Sequence, residues 1–165
     1  MDNIQPQSSK TESTKYFQFE TDFVGSLQCI PMIVRMKLDN CGVKLKLVHW
    51  NQFDRSERQK LVDLPCTTAE ESQVYRNWLQ GLITAKTGQP AKELPVDPHP
   101  PWLNPNIIPD SVGAKAKTSN ATLSLEHWSN LRPAQRFALI KLSRPSHENK
   151  NFIPALKEFG ILPAS

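Results

Sequence analysis

The stretch from Ile30 to Pro65, IPMIVRMKLDNCGVKLKLVHWNQFDRSERQKLVDLP, decides the fold, because it lies without a gap on Ile108 to Ser143, IPDSVGAKAKTSNATLSLEHWSNLRPAQRFALIKLS. Identical pairs are Ile30/Ile108, Pro31/Pro109, Val34/Val112, Lys37/Lys115, Leu45/Leu123, Leu47/Leu125, His49/His127, Trp50/Trp128, Arg58/Arg136, Leu61/Leu139 and Leu64/Leu142. That is 11 of 36 positions, where unrelated segments share about two. We read an internal repeat with a 78-residue offset.

Each copy has the grammar of short helices. Pro31 or Pro109 suits a first helical turn, and Gly42 or Asn120 suits the left-handed residue that ends it. Leu45-x-Leu47 and Leu123-x-Leu125 alternate too briefly for a strand and lead into Trp50-x-x-Phe53 and Trp128-x-x-Leu131. Asp54 with Glu57, or Pro133, then starts a third helix. A fourth follows Thr67-Thr68 and carries Val74, Tyr75, Trp78, Leu79, Leu82 and Ile83 toward a core. Its counterpart is expected to open at Ser146 and to be interrupted at Pro154.

The expected class is therefore all-α, two tandem helical repeats packed as one domain, with at most a minor pairing near residues 16 to 27. Repeat one spans 30–86 and repeat two 108–162, within a domain of 15–165. The connector, 87–107, is rich in proline, with Trp102 expected to pin it. Residues 1–14 are polar, without periodicity, and are expected to form a disordered tail. No apolar run approaches the roughly 20 residues a membrane helix needs, and the start lacks a secretory stretch, so a cytoplasmic protein is expected.

Three cysteines, Cys29, Cys41 and Cys66, fit neither a disulfide framework nor the paired spacing of a metal site. Reduced, buried thiols are the expectation, with all three as weak metal candidates. Cys66 precedes a helix start, whose dipole lowers a thiol pKa, and should be the most reactive. His49 and His127 precede equivalent tryptophans and fit a recurring packing position, or a shared metal or proton-transfer pair.

The formal charge of +4 sits between Arg132 and Lys150, where Arg132, Arg136, Lys141, Arg144 and Lys150 face only Glu148. Within it, Arg136, Lys141, Arg144, Ser146, His147 and Lys150 are candidates for binding an anion or a partner, Ser146 as a helix start with free N–H groups. The segment is too small for general nucleic-acid binding. No Walker loop, dinucleotide fingerprint, HExxH or GxSxG occurs in the chain.

SLQCIPMIVRMKLDNCGVKLKL (26–47), LPCTTAEE (64–71) and RFALIKLSRPSHENKNFIPALKEFG (136–160) resemble the nitrate reductase associated protein family, best represented in cyanobacteria. The likeness runs from Tyr16 to Leu162. It implies an accessory factor, not an enzyme, that binds the assimilatory nitrate reductase apoenzyme and acts in maturation or cofactor insertion. No cofactor would be tightly held, and molybdenum cofactor would be met only transiently. The family offers no catalytic residues to carry over. Two alternatives stay open: a molybdenum-cofactor-handling enzyme using Cys66 or His49 and His127, and a nucleic-acid-binding regulator using Arg132 to Lys150.

Overall fold

Helices start where the chain disposes of their first free N–H groups, and here short polar side chains accept from some of them while Pro133 removes one. The computed structural model describes residues 16–163, so the tail expected over 1–14 lies outside them. The described chain forms two compact units, one ending at Val96 and one beginning at Asp97. The class is all-α, as the sequence implies.

The first unit carries α1 (Thr21–Val24), α2 (Met32–Cys41), α3 (Leu47–Asn51), α4 (Arg55–Asp63) and α5 (Ala69–Thr87). Asp54 accepts from Glu57 N at 2.8 Å while Glu57 Oε1 accepts from Asp54 N at 2.8 Å, the reciprocal cap expected for α4. Thr68 and Glu71 do the same for α5. Pro31 stands one residue outside α2, at its cap and not in its first turn, and Pro109 stands likewise one residue before the helix that opens at Asp110. Gly42 ends α2 at φ +75°, and a β-carbon there would lie 2.5 Å from Leu94 O. Only glycine meets both demands.

The pairing expected near residues 16 to 27 does not form. A 3-10 turn, Gln18–Glu20, leads into α1 instead. Its cause is Glu20, buried, whose Oε2 accepts from Phe17 N at 3.1 Å and Oε1 from Met32 N at 3.0 Å, folding the segment back onto the start of α2.

Trp50, Leu61, Tyr75, Leu79 and Ile83 fill the centre of this unit. Val74, expected in the same stripe, is 59% exposed. On α5 the fully buried row is Tyr75, Leu79 and Ile83, with Trp78 and Leu82 half-buried against the same core as expected; Val74, at the N-terminal end of the row that Trp78 and Leu82 share, is left in water. Tyr75 Oη donates to Leu61 O at 2.7 Å, so its buried hydroxyl is satisfied.

The chain then returns along α5. The side-chain amide of Gln80 accepts from Ala91 N at 2.7 Å and donates to Ala91 O at 2.8 Å, taking both main-chain groups of one connector residue. Beside it Val43 and Glu93 form an isolated antiparallel bridge, with Lys44 N donating to Lys92 O and Leu94 N to Gly42 O.

The second unit carries α6 (Asp110–Thr118), α7 (Leu125–Asn130), α8 (Pro133–Leu142) and α9 (Phe152–Glu158). Its buried centre is Val112, Trp128, Phe137, Leu139, Leu142, Phe152 and Leu156. Trp102 is buried edge-on against Phe137, ring centres 5.0 Å apart, and so anchors the end of the connector in this unit. Asn120 takes φ +58° after α6, as expected of the residue that tolerates this region best after glycine.

The last expected helix is corrected. Ser146 does not open an α-helix. A 3-10 turn, His147–Asn151, comes first, and α9 begins at Phe152. Pro154 therefore falls in the first turn of α9, where its missing N–H interrupts nothing.

Candidate functional site

The first unit carries a basic cleft of about 320 Å³ between the approach to α3 and the far end of α5. Lys44, Lys46, His49 and Lys92 line it with Thr87 and Gln89. The Lys44–Lys92 main-chain bond sets two of the lysines on adjacent backbones, and Gly88 at φ +89° turns the chain after α5 to bring Lys92 there.

His49 Nδ1 accepts from Lys46 N at 3.1 Å. An accepting Nδ1 places the proton of the neutral ring on Nε2, leaving that N–H as a donor. Burial, and secondarily the Lys46 charge, hold the His49 pKa below its ordinary 6.5. No carboxylate lines the cleft among the described residues. Ammonium groups with an imidazole N–H and no internal counter-charge make a receptor for oxyanions. Exposed Leu47 and Val48, each 56% accessible, follow Lys46 directly.

His127 has the same local role in the second unit, Nδ1 accepting from Ser124 N at 3.1 Å. The two histidines are thus cap acceptors of α3 and α7, each engaged within its own unit. Among the described residues, no group of three or more His, Cys, Asp or Glu side chains is placed to hold a metal ion.

The tryptophan and arginine at matching positions of the two aligned segments form the same device in each unit. In the first unit Trp50 Nε1 donates to Leu27 O at 2.9 Å, and Arg58 donates to Leu27 O at 2.9 Å and Trp50 O at 3.1 Å. Leu27 takes φ +60°, strained for leucine, and its carbonyl receives both donors. In the second unit Trp128 Nε1 donates to Asn104 O at 2.9 Å, while Arg136 donates to Trp102 O at 2.7 Å, Leu131 O at 2.7 Å and Trp128 O at 3.2 Å. Each guanidinium also lies over its tryptophan ring, 5.5 Å and 6.0 Å from the ring centre.

This revises the basic segment. Arg136 is 5% exposed and its fork is occupied by three carbonyls, so it belongs to the clamp and not to an anion site. Lys141 is half-buried with Nζ 5.2 Å from the Phe137 ring centre. Arg144, Ser146 and Lys150 are exposed, and His147 lies in the 3-10 turn, its side chain outside what the structure describes. The turn packs against α8, so these groups stand on adjoining elements.

Of the cysteines, Cys29 is exposed, while Cys41 and Cys66 are buried, their sulfurs on the consecutive carbonyls of Leu38 and Lys37. The cleft was missed in the sequence, where the one local signal is Lys44-x-Lys46 just ahead of His49. Lys92 is 46 residues from Lys46 and reaches it only through the folded connector.

No helix among the described residues is long and apolar enough to cross a membrane. Neither the curated proteins nor the solved structures contain a match to this chain. A family model does match, over residues 16–159, and its description is that of a conserved nitrate reductase-associated protein. With nearly the whole described chain covered, this protein belongs to the conserved nitrate reductase-associated protein family.

Proposed function

We propose that this protein is a non-catalytic accessory factor that binds the apoenzyme of assimilatory nitrate reductase in the cytoplasm during maturation, before or while its molybdenum cofactor is inserted. The family match across residues 16–159 carries this reading, since the family is described by association with nitrate reductase and not by a reaction. The surface best suited to the encounter is the cleft of Lys44, Lys46, His49 and Lys92 beside exposed Leu47 and Val48. Positive charge steers an acidic partner surface, and the adjoining apolar side chains gain by leaving water. The exposed Arg144 and Lys150 offer a second, weaker basic surface.

Co-purification tests the reading. Tagged protein is expected to retain nitrate reductase from cells in which molybdenum cofactor synthesis is blocked, and the triple change Lys44→Glu, Lys46→Glu, Lys92→Glu should weaken retention at least about tenfold. Failure to associate even with the cofactor withheld refutes docking. Retention unchanged by the triple variant moves the contact elsewhere. The matching elements and paired Trp–Arg clamps also support descent of the two units from one duplicated segment.

A further inference from the structure

Cys41 closes α2, and Cys66 lies in the link between α4 and α5; the two are 1% and 2% exposed. Cys66 Sγ is 3.4 Å from Lys37 O. Helical geometry directs the main-chain N–H of Cys41, four residues on, to that same carbonyl, so the Cys66 sulfur sits at the turn that carries Cys41. Cys41 Sγ donates to Leu38 O at 3.7 Å, so the two sulfurs hang on consecutive carbonyls of the same turn of α2.

The link is fastened to α2 on both sides of the sulfur. Lys37 Nζ donates to Val62 O and Leu64 O at 2.6 Å each, and Asn40 Nδ2 donates to Cys66 O at 3.1 Å. This frame holds both sulfurs at one turn of α2, the closeness a disulfide between them requires.

We propose that Cys41 and Cys66 form a reversible intrachain disulfide, Cys66 reacting first with a small hydroperoxide and Cys41 resolving the product. The inference goes beyond the accessory reading and does not depend on it.

The electrostatics order the two sulfurs. The neighbouring Cys41 thiol holds Cys66 down to about 7, with further help from the Ser72 hydroxyl and the Lys37 charge, against burial and Glu71. Interaction with Cys66, together with burial, pushes Cys41 up. Cys66 is therefore the thiol that ionises first and Cys41 the one that keeps its proton, the order of an attacking and a resolving thiol.

In the first step the Cys66 thiolate attacks one peroxide oxygen. An S–O bond forms, the O–O bond breaks, and the departing alkoxide or hydroxide takes a proton to leave as alcohol or water. The Cys41 sulfur then attacks the sulfenic sulfur, an S–S bond forms, and hydroxide leaves with the Cys41 proton as water. Two thiols and one hydroperoxide thus give one disulfide, one alcohol or water from the peroxide, and one further water. Access runs through the link, whose neighbours Pro65 and Thr67 are exposed, and requires a local opening that frees Cys66 from its place in the core.

The test uses the full chain with Cys29→Ser, so that the exposed thiol joins no two molecules. Hydrogen peroxide is added, and the product is mapped by mass spectrometry. The expected result is loss of two hydrogen masses, a peptide joining Cys41 to Cys66, and full reversal by dithiothreitol. In the chain that also carries Cys41→Ser, dimedone should capture a sulfenic acid at Cys66. Before oxidation, iodoacetamide should modify Cys66 about tenfold faster than Cys41. Both thiols still alkylatable after unfolding, at peroxide doses that oxidise free cysteine, overturn the proposal; so does an oxidised Cys66 that never links to Cys41. If Cys41→Ser does not fold, the map of the Cys29→Ser chain decides alone.

Discussion

Replacing Arg136 by methionine separates a structural from a binding role for that side chain. Methionine keeps an unbranched apolar stem and removes the fork, stranding the carbonyls of Trp102 and Leu131, while that of Trp128 keeps the Leu131 N–H. Hydrogen bonds to a charged donor are worth about 1.5–3 kcal/mol each, and each stranded buried acceptor costs about 1–3 kcal/mol. These terms overlap, and water can reach part of the vacated space, so the expected loss is about 4 kcal/mol, in line with stripping one partner from a buried charged network. Arg58→Met is the internal control. Arg58 is half-buried and reaches two carbonyls, so about 2 kcal/mol is expected there. Urea unfolding followed by tryptophan fluorescence and far-ultraviolet circular dichroism measures both. An Arg136→Met chain within about 1 kcal/mol of the parent, or no less stable than Arg58→Met, would refute the clamp as the reason for this residue.

Gly42→Ala should cost about 3 kcal/mol in the same assay, because it combines a left-handed backbone with a β-carbon placed against Leu94 O, whereas Gly88→Ala, at φ +89° with nothing within 4 Å, should cost about 1 kcal/mol. Equal costs would mean the close approach to Leu94 is not felt. His49 should titrate below 6.5 by proton NMR. Because folding lowers its proton affinity, the unfolded chain protonates first as pH falls; the contribution of His49 to stability is complete above 6.5 and declines as pH drops below it. His49→Gln should flatten that part of the pH profile, and a midpoint at or above 6.5 would contradict the cap geometry.

Much of the helix type and order was legible because several helix starts are local: Asp54, Thr68 and Pro133 act within a few residues of where they stand. Gly42 and Asn120 could be read as turn-formers for the same reason. Glu20 could not, since its partner Met32 N is twelve residues away and nothing local marks a glutamate as inward-facing. Arg136 was readable in principle. Its identity with Arg58, at matching distance from a matching tryptophan, places it among shared core residues, yet the net charge of its neighbourhood drew it into an anion set. The basic cleft depends on a connector that sequence describes only as extended, so Lys92 could not be assigned to the neighbourhood of Lys44. The meeting of Cys41 and Cys66 is likewise a product of tertiary packing, because their 25-residue separation has no motif to announce it.

The bridge between Val43 and Glu93 has a bearing on how this chain behaves at high concentration. An isolated pair of extended segments usually exposes unpaired main-chain groups that a second molecule can zip onto. Here the outgoing segment is bounded by Pro90 and Pro95, which have no N–H to offer, and Gln80 already occupies both groups of Ala91. Growth of a ladder in either direction runs out of donors within two or three residues. The proline-rich stretch thus guards an otherwise adhesive edge, and replacing Pro90 and Pro95 together by valine would remove that guard while leaving every helix in place.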